Sequence, residues 1–247
     1  KDLIFDGKSH HINKFFMGGI GNILREEKLI SYIKELCDIK FHIIVDKETK
    51  KIIETYYSRL NIDYIISEVE IPSSIILEKD NMRTSLVIND HKIKIKSINN
   101  TSKSALIYYG DKINIKDINN VETVYIDTAG NKYEDLFFED LDTLKTIIIS
   151  ISSEYLTKEL TDFYLKNNYI LISHSPIQTE IITKESIVEI ENKYYVNETI
   201  NKVTGLGDKF FMIFSLYYNK SHKKSLYKSV IHAQKFIYSL IINDQIF

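Results

Sequence analysis

The sequence predicts an α/β fold, a mostly parallel sheet with helices on both faces. Two observations predict it. Strand-length apolar runs alternate with segments whose apolar residues recur every three or four positions, and 44% of the 247 residues are hydrophobic, enough for a sizeable core. Leu29, Ile33, Leu36 and Cys37 stand at helical spacing, Phe41 to Val45 is a strand-length run, and Ile53, Tyr56 and Leu60 return to the helical period. From Tyr64 to Ile98 the pattern changes to short strand-like runs, Ser74 to Leu77, Ser85 to Ile88 and Ile93 to Ile95, separated by Asn, Asp and Lys. A small β-rich layer is expected there. Strand runs resume at Ala105 to Tyr109, Thr123 to Ile126 and Thr146 to Ser150, followed by a helix bearing Leu156, Leu160 and Phe163 and a strand over Tyr169 to Ser173. Phe210, Ile213, Phe214 and Tyr217 line one closing helix, and Leu226, Val230, Ala233, Ile237 and Leu240 line the other. Strands joined through helices run parallel, because only an antiparallel neighbour can be reached by a tight hairpin.

Composition narrows the function classes. With a net charge of −2, the chain gives no electrostatic reason to expect nucleic acid or an anionic membrane as partner. The basic run from Lys220 to Lys228 reads as solvated surface. Cys37 is the single cysteine, which excludes a disulfide framework, and on the apolar side of its helix it reads as a small buried hydrophobe. No apolar stretch reaches the roughly 18 residues of a membrane span, and no signal peptide opens the chain, so the expected location is cytoplasmic. No composition shift marks a second domain, and residues 1–247 are expected to form one. His10 and His11 lack a third ligand at metal spacing and read as a polar loop.

The glycines carry the chemistry. Average usage would put about 17 in such a chain, and there are 8, five of them in Gly18-Gly19-Ile20-Gly21-Asn22 and Thr204-Gly205-Leu206-Gly207-Asp208. Both segments open a helical pattern. Glycine lets a ligand approach the main chain, and a helix N-terminus offers unpaired N–H groups and the positive end of the dipole to an anion such as phosphate. Asp208 in that setting suits a general base that deprotonates an attacking hydroxyl while the amides hold developing negative charge. It equally suits a carboxylate that stabilises its own helix.

Together the two segments resemble the ribokinase, or PfkB, family of carbohydrate and nucleoside kinases. Thr204 to Asp208 with Lys209-Phe210 is similar to that family's Thr-Gly-Ala-Gly-Asp-x-Phe signature, and Gly18 to Asn22 to its Gly-Gly-x-x-Asn motif. Phe41 to Asp63 resembles the family's strand and helix ending in Asn-Ile-Asp, Pro72 to Asp90 its β lid, and Ile126-Asp127-Thr128-Ala129-Gly130 a strand-end loop of its shorter microbial members. The resemblance implies a ribokinase-like three-layer sandwich with lid segments at about 8–17 and 64–98. It implies a phosphotransferase that moves a phosphoryl group from ATP to a hydroxyl of a small sugar-like or nucleoside substrate.

Carried over residue by residue, it implies Asp208 as catalytic base and the amides of Gly205, Leu206 and Gly207 as anion hole. Asp2, Gly18, Gly19 and Asn22 would bind substrate, and Thr204, Ser173 and His232 the nucleotide. Glu154 would organise Mg2+ through water. ATP and Mg2+ are the implied cofactors, with a monovalent cation such as K+ as a further one. Three positions depart from the pattern: Ile151 stands for the asparagine that accompanies the glutamate, Lys202 for an aspartate before the signature, and Ser173-His174-Ser175 for a Thr-x-Gly nucleotide loop. The chain begins at Lys1, where the family would already have completed its first strand. These departures keep open a sugar- or nucleotide-binding protein of the same fold that has lost catalysis, and the expected lid strands keep open an interaction module that pairs with another copy of the chain, as edge strands can.

Overall fold

A computed structural model describes residues 18–24, 26–36, 41–57, 62–66, 73–79, 82–89, 105–109, 122–128, 146–194, 205–221, 223 and 225–245. In chain order the elements are α1 (Gly18–Leu24), α2 (Glu27–Leu36), β1 (Phe41–Val45), α3 (Lys47–Tyr57), β2 (Ile62–Ile66), β3 (Ser73–Lys79), β4 (Met82–Asn89), β5 (Ala105–Tyr109), β6 (Thr123–Asp127) and β7 (Thr146–Ser152). A 3-10 turn (Ser153–Tyr155) then leads to α4 (Lys158–Lys166), β8 (Ile170–His174), β9 (Gln178–Ile182), β10 (Ile187–Glu191), α5 (Leu206–Lys220) and α6 (Leu226–Gln245).

The main sheet has six strands in the order β10-β9-β8-β7-β6-β5. Strands β5 to β8 are mutually parallel, whereas β8, β9 and β10 pair antiparallel. A parallel sheet must be covered on both faces, and the alternation of side chains divides the core accordingly. Tyr125, Ile148 and Ile172 pack with α1, α2, α5 and α6. Val124, Ile126, Ile147, Ile149, Ile151 and Leu171 point the other way and pack with Leu160 and Tyr164 of α4. This is the expected three-layer arrangement. Helix α4 starts where Thr157 accepts a hydrogen bond from the Leu160 amide at 3.2 Å, an N-cap that satisfies one orphan donor.

Two features depart from the expectation. Strands β1 and β2 form a separate parallel pair, so residues 64–66, expected in the lid, belong to β2 instead. Phe41, Ile43 and Val45 of β1 and Ile53 of α3 nevertheless join the core shared by α1, α2, α5 and α6. The antiparallel hairpin β3–β4 accounts for the other described residues of the stretch expected to form a lid. Strands β9 and β10 were not expected at all and extend the sheet beyond β8. The expected strand at Ile93 to Ile95, lid segment 8–17, Cys37, and the His10-His11 pair lie outside the described residues.

Candidate active site

The site forms where the first turn of α5 meets α1. Gly205, the N-cap of α5, has φ +80° and ψ 8°, the left-handed conformation that costs a residue with a side chain about 1–2 kcal/mol. A Cβ built there would lie 2.5 Å from Cγ, 2.6 Å from Cβ and 2.7 Å from Nδ2 of Asn22. Glycine is therefore required twice, by backbone angle and by the close passage of the Asn22 side chain. Gly205 offers no side-chain cap to the helix, whose first amides have no intrahelical acceptor.

Asp208 lies in this first turn, partly buried, and its Oδ2 accepts a hydrogen bond from Asn22 Nδ2 at 2.8 Å. Asn22 stands near the C-terminal end of α1 behind the buried Gly21 and ahead of Ile23 and Leu24, both in the core. Gly18 and Gly19 precede Asn22 by four and three positions, so they share its side of the helix. Next to Asp208, Lys209 Nζ lies 2.9 Å from Glu26 Oε2, and both side chains are largely shielded.

On the sheet side His174 ends β8. Alternation gives it the face of Ile172, which packs under α5. Its ring lies 5.5 Å from that of Phe210, and a Cβ on Gly207 would lie 3.1 Å from its Cε1. Burial lowers the His174 pKa from its ordinary 6.5 to about 4, so the imidazole beside the helix N-terminus is neutral. Nothing in the periodicity singled this residue out. Only the register of β8 beneath α5 reveals it.

The other anticipated residues are placed as follows. Ser173 takes the face opposite to His174, shared with Leu171; it is 1% exposed, and its Oγ has no hydrogen-bond partner. Glu154 is exposed on the 3-10 turn, where Ser152 Oγ donates to its Oε1 at 3.3 Å. His232 is not gathered with Asp208. It is stacked on Tyr217 (ring centroids 4.0 Å apart, 14° between planes), and the Tyr32 phenol is joined to its Nε2. Tyr217 comes nine residues after Asp208, roughly 13 Å along the helix. Burial, and secondarily the Lys235 ammonium, lowers the His232 pKa. Asp2 and Thr204 lie outside the described residues.

No protein-family profile matches the chain, and no curated sequence does. Solved structures do. The chain is similar to adenosine kinase from Schistosoma mansoni bound to 2-fluoroadenosine (13% identity, 89% of this chain and 77% of that one, TM-score 0.56). It is also similar to adenosine kinase from Trypanosoma brucei brucei (10%, 91% and 82%, TM-score 0.57) and to ribokinase from Giardia lamblia (14%, 95% and 85%, TM-score 0.52). The fold is the ribokinase fold.

Proposed function

We propose that the protein transfers the γ-phosphoryl group of ATP to a hydroxyl of a small sugar-like substrate, the sugar being free or part of a nucleoside. The observation that carries this reading is the Asn22–Asp208 hydrogen bond at a helix N-terminus opened by a left-handed glycine. It joins the two glycine segments that the sequence singled out, within a fold shared with adenosine kinases and ribokinases.

Asp208 accepts the proton of the acceptor hydroxyl as its oxygen bonds to the γ-phosphorus and the bond to the β-phosphate oxygen breaks, leaving ADP. The amides of Gly205, Leu206 and Gly207 stabilise the charge on the transferred group, pre-oriented by the helix. Asn22 holds the Asp208 carboxylate by one oxygen, and Asn22, Gly18 and Gly19 are the substrate-binding residues of this reading.

Among the described residues no group of three potential ligands could hold a metal. Glu154, exposed on the 3-10 turn, is the residue that would hold Mg2+, through water, the ion keeping most of its own waters. Bound there, the ion would neutralise phosphate charge. Among the described residues no helix is long and apolar enough to cross a membrane.

The test is Asp208→Asn assayed with MgATP against a panel of sugars and nucleosides, with products detected by mass. The expected result is a phosphorylated product from the wild type and a loss of at least ~10²-fold in the variant, with nucleotide binding retained. Equal turnover would remove Asp208 from the mechanism. A wild type that binds nucleotide and sugar without forming product would favour the binding-protein reading.

A further inference from the structure

The first turn of α5 is met at two points, by α1 and by the connection from α1 to α2, and phosphoryl transfer as described uses only the first. Asn22 lies within α1, and Glu26 stands four positions on, in that connection. The Glu26 amide donates to the Ile23 carbonyl at 3.1 Å, and its carbonyl accepts from the Ile30 amide at 2.9 Å. Its backbone is thus tied to both α1 and α2. Its side chain reaches Lys209 Nζ at 2.9 Å, with Lys209 15% and Glu26 17% exposed. Lys209 directly follows Asp208, and its own amide donates to the Gly205 carbonyl at 3.1 Å, closing the turn that carries the amides and the carboxylate. A shielded pair with this geometry resists being opened, because separating the partners leaves an uncompensated charge away from water.

We infer that Glu26 and Lys209 are positioning residues for phosphoryl transfer: their ion pair sets the register of α1 against the first turn of α5 and so keeps Asn22 Nδ2 on Asp208 Oδ2. This rests on reading Asp208 as the base. The pair touches no reacting atom; it acts through Asn22. A carboxylate misplaced by about 1 Å can lose up to ~10² in rate, so the pair should be visible in turnover as well as in stability.

The experiment compares Glu26→Gln, Lys209→Met and the exchanged pair Glu26→Lys with Lys209→Glu, at a temperature well below each variant's unfolding midpoint. Lys209→Met keeps the aliphatic stem and so spares packing if Glu26→Gln folds poorly. Each single variant is expected to lower kcat about tenfold or more with both KM values within about twofold, and the exchanged pair to recover most of it. The Asn22 side-chain amide signals in 15N spectra should move in the single variants and return in the exchanged pair. Folded single variants that melt earlier but keep wild-type kcat and unmoved Asn22 signals would overturn the inference, leaving the pair a stabilising contact alone. Asp208→Asn run alongside separates the two claims: full activity there defeats the base, whereas an inactive Asp208→Asn beside fully active Glu26→Gln defeats only the positioning role.

Discussion

Replacing Gly205 with alanine tests the geometry of the site most directly. Two costs are readable from the structure. The backbone at φ +80° charges a residue with a Cβ about 1–2 kcal/mol. The new methyl would also sit 2.5–2.7 Å from three Asn22 atoms, where ordinary contact is about 3.5–4.0 Å, so Asn22 must retreat by about 1 Å. From 2.8 Å that retreat breaks its bond to Asp208, a charge-assisted interaction of about 1.5–3 kcal/mol. The sum is about 2.5–5 kcal/mol, or a fall in Tm of roughly 5–20 °C for a domain of this size. Asn22→Gly removes every atom the methyl would strike, so in that background Gly205→Ala should cost only the backbone part, about 1–2 kcal/mol. Urea denaturation of both single variants and the double variant gives the cycle. The expected coupling is about 1.5–3 kcal/mol in the sense that the double variant is less damaged than the sum. Additivity within about 0.5 kcal/mol would mean that the two side chains do not meet, and the site as described would be wrong.

Other outcomes follow from the histidines. Because the folded-state pKa of His174 lies near 4, the unfolded chain takes up its proton first as pH falls below 6.5, and stability should decline between pH 6.5 and 4 by up to about 3 kcal/mol. His174→Leu should remove that part of the slope in denaturation curves recorded across the window; an unchanged slope would contradict the half-buried, neutral ring. Tyr32→Phe keeps the ring stack but strips the hydroxyl from His232 Nε2, and should cost about 1 kcal/mol in thermal denaturation. If His232 is held as scaffold, the same variant leaves the KM for ATP unchanged.

The sequence made much of this legible, and unevenly. Strands β1 and β5 coincide with their apolar runs because each is a compact run rich in strand-forming residues. Helix α5 was readable from its Phe and Ile stripe. Strands β9 and β10 were missed for a physical reason: β10 leaves Ile187 64% and Val188 39% exposed and buries only Ile190, so its burial does not follow its hydrophobicity. Strand β2 runs to Ile66, across the expected start of the lid at Tyr64, because it pairs in parallel with β1, a partnership that side-chain alternation cannot reveal. At the site, motif resemblance brought Asn22 and Asp208 into one proposal, but the Glu26–Lys209 pair and the approach of His174 to Gly207 depend on how distant elements dock. Ser173 illustrates the limit most plainly: a shift of one residue along β8 decides whether serine or histidine looks toward α5.

Asn22 and Asp208 are 186 positions apart in the chain. Their meeting joins early and late segments, so during synthesis the N-terminal partner must wait. At ribosomal speeds of about 5–20 residues per second the delay is about ten to forty seconds, during which Ile23 and Leu24 have no α5 to cover them. A nascent chain halted before residue 208 would carry every strand of the six-stranded sheet but neither Asp208 nor the rest of α5, and its uncovered first helix would be the natural point of capture for a chaperone.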